Sequence, residues 1–214
     1  LLATIAKAGK STPIESGVIS AGGASLRRHW NAGAADTITD GKWDFVVLQE
    51  QSTLPIKKGN RFHENVREFV PAIKDCGAKI VLFMTWARKQ APENQKMLTD
   101  GYNEIGEALA GTAWQKLIQE HDGPLLHAED GSHPTLAGSN LAACTFYAAL
   151  FDGYPTKLET DIGKLTHSQG FVTHRVPHKK TSEGTLPRNA LEDRFQKSPE
   201  HRAKDQLHCF VVQV

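Results

Sequence analysis

Three features of this sequence predict an α/β chain with a mostly parallel sheet. Two runs, Phe45–Leu48 and Lys79–Met84, are apolar almost throughout, as strands buried on both faces are. Between them, Phe62, Val66, Phe69, Val70 and Ile73 share one side of a helix over residues 62–76, and strand, helix, strand in that order implies crossovers and parallel pairing. Both strands end in polar residues, Gln49-Glu50-Gln51-Ser52 and Thr85-Trp86-Ala87-Arg88, which places those residues at the carboxyl edge of the sheet, where open α/β folds put their ligands.

Taken in order, Leu1, Leu2, Ile5 and Ala8 keep helical spacing up to Gly9, so the chain opens inside a helix that stops at a glycine. Residues 12–20 predict a short strand through Ile14, Val18 and Ile19, and Gly22-Gly23 after it marks a sharp turn or a close backbone approach. Residues 26–30 begin a helix or loop, and the strand at 43–48 follows Gly41-Lys42. Beyond the second buried strand, residues 92–109 predict a helix with Met97, Tyr102 and Ile105 inward. After it the alternation weakens: Ala110-Gly111-Thr112-Ala113-Trp114 leads almost directly into a helical stretch at 115–120, so the next strand is either very short or missing.

Next comes Asp130-Gly131-Ser132-His133-Pro134, an acid and an imidazole three residues apart on a glycine turn closed by a proline that can open a helix. Ala137, Leu141, Cys144, Ala148 and Phe151 recur behind it at helical steps, predicting a helix over 135–151 that anchors the loop by one apolar stripe. A carboxylate beside a histidine can fix the tautomer and stabilise the imidazolium, as a general base for a serine hydroxyl requires. The same spacing also suits an aspartate that caps a helix beside a solvated histidine.

Length and charge narrow the function. The 214 residues suffice for one domain, read as 1–163, followed by an irregular, basic, His-containing tail at 164–214 with a short strand at its end. With 25 basic against 24 acidic side chains, the net charge of +1 gives no field for nucleic acid or an anionic membrane, and a small, weakly charged partner fits better. The three cysteines, Cys76, Cys144 and Cys209, are odd in number and widely spaced, unlike a disulfide framework or a zinc knuckle, and Cys144 falls on the apolar stripe. No apolar window is long enough to span a bilayer, and neither a metal nor an organic cofactor is expected.

With Gly22-Gly23-Ala24-Ser25-Leu26, then the run from Trp43 to Leu48 with Gln49-Glu50-Gln51-Ser52, then Asp130-Gly131-Ser132-His133-Pro134 in this order, the chain resembles the SGNH hydrolase (GDSL-like lipase/esterase) superfamily over roughly residues 1–155, in particular the bacterial branch whose third block reads Leu-Gln-Glu-Gln-Ser. The resemblance implies a flavodoxin-like three-layer α/β/α sandwich and ester hydrolysis by a serine nucleophile, on a small ester or an acylated carbohydrate. By position it makes His133 the general base and Asp130 its orienting acid. Gly23 becomes a backbone oxyanion donor, and Gln49, where most of the superfamily has asparagine, a side-chain donor to the same oxyanion; each such donor is worth ~3–4 kcal/mol of barrier.

Trp86 and Arg88 are candidates for lining the substrate pocket, with Trp86 equally suited to packing between sheet and helix. Gly23 can also be read as a turn glycine only, and Gln49 as closing its strand end. The first block, Gly-Asn-Ser or Gly-Asp-Ser, is not in this sequence, so no nucleophile is assigned; Ser25, Ser52 and Ser132 read as capping or turn serines. By spacing that block and its strand belong before Leu1, and in this fold the strand lies at the sheet's centre, so the fold is expected to be incomplete at the N-terminus unless another segment fills the slot. Two other readings stay open: a non-catalytic binding module that keeps the cleft, and a metal hydrolase using His127, Asp130 and His133.

Overall fold

The computed structural model describes residues 1–106, 108–120, 126–151 and 205–213. Within them, five strands form a single all-parallel sheet in the order β1-β5-β2-β3-β4, where β1 is Ile14–Ser20, β2 Phe45–Leu48, β3 Lys79–Met84, β4 Ala108–Ala110 and β5 Leu207–Gln213. The helices are α1 Leu2–Ala8, α2 Leu26–Asn31, α3 Ala34–Asp40, α4 Leu54–Lys57, α5 Gly59–Asp75, α6 Asn94–Ile105, α7 Gly111–Glu120 and α8 Leu136–Phe151.

Two cores lie on the two faces of the sheet because strand side chains alternate. On one face Val46, Leu48, Leu82, Met84, Phe210 and Val212 pack against Leu26 of α2, Ile38 of α3, Phe62, Phe69 and Ile73 of α5, and Leu98 and Tyr102 of α6. On the other, Phe45, Val47, Val81, Leu207 and Cys209 meet Ala142 and Phe146 of α8, with Leu2 of α1 at the margin. Helices on both faces of a parallel sheet make the three-layer α/β/α sandwich expected from the sequence.

The second place in that strand order, between β1 and β2, is filled from an unexpected direction. The slot that the sequence leaves for a strand upstream of Leu1 holds β5, near the other end of the chain, paired in parallel with β1 from Ile14↔Leu207 to Ser20↔Gln213 and with β2 from Phe45↔Cys209 to Leu48↔Val212. Residues 207–213 form the short strand expected at the end of the chain, here joined to the sheet; residues 164–204 and the 163/164 boundary lie outside the described residues. Leu207, Cys209, Phe210 and Val212 are buried, two toward each core, so β5 contributes to both layers at once. Asp44, buried at the start of β2, accepts from the His208 N–H at 2.8 Å and donates its own N–H to the His208 carbonyl at 2.8 Å, which fixes where β5 enters.

Three other expectations are corrected. On α6 the buried residues are Leu98 and Tyr102, whereas Met97, expected inward, is 50% exposed. The stripe expected on α8 is also displaced: Gly138, Ala142, Ala143, Phe146 and Tyr147 are buried, while Ala137, Leu141, Cys144, Ala148 and Phe151 are half-buried. That helix carries no charged side chain, so nothing in its sequence marks a solvent face from which the buried one can be counted. The doubtful strand after α6 exists but is three residues long, Ala108–Ala110, and α7 begins at the next residue. Among the described residues no helix is long and apolar enough to cross a membrane.

Candidate active site

Every residue singled out for chemistry stands at the carboxyl edge of this sheet. Gly23 follows β1 at φ 70°, a left-handed value that glycine reaches without strain, and a side chain there would meet open space. Gln49 follows β2, its N–H donating to the Val212 carbonyl of β5 at 3.0 Å, and Ala21 donates to the Gln213 carbonyl at 3.3 Å. The stretches bearing Gly23 and Gln49 thus flank the end of β5 on either side.

Gln49 is 9% exposed, and its Oε1 is buried with no hydrogen-bond partner. A carboxamide whose oxygen is turned into the protein presents its Nε2 at the other end, the polarity an oxyanion donor needs.

The acid–histidine pair lies on an exposed turn. Asp130 Oδ1 accepts from the Ser132 and His133 N–H groups, both at 2.9 Å, and Oδ2 takes the His133 Nδ1–H in a short charge-assisted contact. The His133 ring and these two N–H groups hold the Asp130 carboxyl well below the usual carboxylate range. With Nδ1 committed to Asp130, the lone pair sits on Nε2, and the side chain is 81% exposed. That is the tautomer and orientation of a general base awaiting a hydroxyl. Asp130 therefore does not cap α8, which starts at Leu136 with Thr135 Oγ1 accepting from the Gly138 N–H at 3.2 Å; one of its oxygens closes the turn and the other holds the His133 ring.

What holds this turn is the loop after β3. Trp86 Nε1–H donates to the Ser132 carbonyl at 3.0 Å, Lys89 N–H to the Gly131 carbonyl at 2.9 Å, and the His127 Nε2–H to the Ala87 carbonyl at 2.9 Å. Within the turn, Ala128 donates to the His133 carbonyl at 2.8 Å and Thr135 to the Leu126 carbonyl at 2.9 Å. Trp86 stacks on Trp114 of α7 with centroids 3.7 Å apart and planes 4° from parallel, and His127 meets the edge of the same ring. One face of Trp86 and its N–H are thus spent on scaffolding the His133 turn; Arg88, beside it, is exposed at the same edge. His127 uses Nε2 on a backbone carbonyl and is buried, which takes it away from the metal-ligand role open to it in the sequence.

Gly131 carries a further constraint. Its φ is 68°, and a Cβ there would stand 2.6 Å from Gln90 Oε1. Gly131→Ala is expected to displace the turn and lower the affinity of His133 for Asp130, read as loss of the downfield Nδ1 proton resonance; an unchanged resonance would show that the turn tolerates the side chain.

Several residues at the site have no signal in the sequence. His29, on α2, is buried with Nε2 unpartnered beside the end of β5, where burial pushes its ring below the usual imidazole range and the Gln213 backbone pulls the other way. Glu50 is fully buried, and Asn65 of α5 donates its Nδ2–H to Glu50 Oε2 at 2.8 Å. Burial of these side chains follows from long-range packing, which local pattern does not encode.

Against known proteins, no family model matches the chain and no curated protein does. Among solved structures it is similar to a chain described as "a putative SGNH hydrolase from Slackia heliotrinireducens", with a TM-score of 0.56 and 25% identity over 67% of this chain and 87% of that one. The chain has the SGNH fold.

Proposed function

We propose that this chain carries the base, the orienting acid and the oxyanion donors of a serine-type SGNH ester hydrolase acting on a small ester, an acetyl ester or an acylated carbohydrate being the best fit. The observation that carries the reading is the Asp130–His133 pair, on an exposed turn clamped to the same sheet edge as Gln49, whose carboxamide oxygen is buried without a partner. In this mechanism His133 Nε2 accepts the proton of an attacking serine hydroxyl, Asp130 stabilises the imidazolium, and the Gly23 N–H and Gln49 Nε2 stabilise the tetrahedral oxyanion. His133 then returns the proton to the leaving alcohol. The exposed pair and the near-neutral surface suit a small neutral ester better than a charged polymer.

Among the described residues no serine is assigned as the nucleophile. No serine among the described residues hydrogen-bonds His133, and Ser25 is the N-cap of α2, accepting from the Arg28 N–H at 3.4 Å. That favours, as a second reading, a binding module that keeps the cleft without the reaction. A fluorophosphonate probe separates the two. The chain as given is expected to remain unlabelled, and a form extended upstream of Leu1 by a strand ending in Gly-Asn-Ser is expected to label at that serine. Labelling of any serine within residues 1–214 would overturn the absence of a nucleophile, and an extended form that binds ester without labelling would favour the module.

A further inference from the structure

Glu50 belongs to the stretch that carries Gln49 but is not one of the groups proposed to act on substrate. It has 0% exposure, the most complete burial of any carboxylate among the described residues, and all its bonds are acceptances. Oε1 takes the Leu26 N–H at 3.1 Å and the Gln51 N–H at 2.8 Å, and Oε2 takes the Asn65 Nδ2–H at 2.8 Å. Leu26 is three residues beyond Gly23 and begins α2; Gln49 is the residue before Glu50; Asn65 is on α5, 1% exposed. One side chain therefore ties together the loop after β1, the end of β2 and the helix behind both.

A structural role alone would be met more cheaply by apolar packing, since burying a carboxyl costs free energy unless each of its lone pairs is used. What the carboxylate does that an apolar residue cannot is hold, by directional bonds, the distance between two loops that each also hydrogen-bond the end of β5. We infer that Glu50 is a positioning residue that sets the spacing between the Gly23 N–H and the Gln49 carboxamide, so that both can meet one oxyanion. The inference rests on the oxyanion reading of those two groups. It adds to that reading a residue that touches neither substrate nor the reacting atoms.

Shortening the side chain by one methylene is the informative change, because Glu50→Asp keeps the charge and the donors but draws the Leu26 loop toward β2. The probe is dimethylphosphinate, a tetrahedral monoanion, titrated into the 15N-labelled chain while the Gly23 amide and Gln49 side-chain resonances are followed. The unaltered chain is expected to show saturable shifts at both groups. Glu50→Gln is expected to bind within about threefold of it, because Asn65 Oδ1 has no partner and can turn to accept the new amide. Glu50→Asp is expected to shift both resonances before any anion is added and to weaken binding on the order of tenfold or more, as displacements of about an ångström do at such sites, with the resonances of Phe146 on the opposite face unmoved.

If the unaltered chain gives no saturable shift, the oxyanion reading fails and the positioning role falls with it. If it binds and folded Glu50→Asp binds equally well, the oxyanion reading stands and the positioning role is overturned. Should Glu50→Asp fail to fold, Asn65→Asp, which sets a second carboxyl against Oε2 and pushes Glu50 away from the Leu26 and Gln51 N–H donors, replaces it with the same two outcomes.

Discussion

A chain that stops at residue 206 is expected to lose cooperative unfolding altogether. β5 is the only strand paired with β1 among the described residues, and it supplies one edge of β2 as well. Removing it detaches β1 together with the Gly23 loop and strips Leu207, Phe210 and Val212 from the two cores. At about 2 kcal/mol for each large buried apolar side chain that is roughly 6 kcal/mol, before the ladder bonds on both sides are counted. A whole domain holds only about 5–15 kcal/mol. Urea denaturation followed by far-ultraviolet circular dichroism and tryptophan fluorescence should show a sloping loss of signal in place of a sigmoid. Phe210→Ala, at about 3–5 kcal/mol, should lower the midpoint without abolishing the transition. A truncated chain with an undiminished midpoint would show that the sheet does not need this strand between β1 and β2.

The position of β5 bears on catalysis too. The strand at 207–213 pairs with the facing edges of β1 and β2, so an upstream strand carrying Gly-Asn-Ser, if it took the inner place in the sheet that the resemblance implies, would compete with it. In the extended form proposed for phosphonate labelling, the serine becomes reactive only in molecules where the upstream strand has displaced β5. Deleting residues 205–214 from that form is therefore expected to raise the labelled fraction, whereas the same deletion in the chain as given destroys the fold.

Glu50→Ala should be the most damaging single substitution at the site, and Glu50→Gln nearly neutral. Alanine leaves the Leu26 N–H, the Gln51 N–H and the Asn65 amide without their acceptor. Each unmet buried donor costs about 1–3 kcal/mol, and with Gln51 partly reached by water a loss of about 3–6 kcal/mol follows. Glutamine keeps an oxygen for the two backbone donors.

The two variants also differ from the native chain in pH dependence. Burial pushes the Glu50 carboxyl above its ordinary range, against the pull of Asn65 and of the Gln51 and Leu26 N–H groups. The folded chain then holds a proton that the unfolded chain has already released. Stability from Glu50 is greatest in acid and declines as pH rises from the ordinary glutamate range through the raised native value. Glu50→Gln removes that decline, so its stability relative to the native chain should grow with pH over that window. Denaturant midpoints measured at several pH values check it; parallel curves would show that Glu50 ionises alike in both states.

The strands at 45–48 and 79–84 were legible almost residue for residue, because a strand covered on both faces has no polar position to blur its ends. The helix ending at Gly9 and the turn at Gly23 were legible for a related reason: glycine marks where backbone must bend. The Asp130–His133 contact could also be read, since three residues on a glycine turn leave the two side chains little choice but to meet. The buried face of α8 was not legible, because a helix without a charge offers no reference for counting. Nor was Met97's exposure, for an amphipathic stripe on α6 shifted by one residue to Leu98 keeps nearly the same periodicity.

The sequence by itself determined a parallel α/β architecture, the acid–histidine turn and the polar strand ends that gather at one edge, because each is written in a few neighbouring residues. Only the tertiary structure decided which strand stands between β1 and β2, that Trp86 and His127 brace the histidine turn, and that Glu50 joins the stretches after Gly23 and Gln49. A strand's slot and a buried carboxylate's partners depend on which edges and donors remain free once the rest of the chain has packed, and that is a property of the whole molecule with no local imprint.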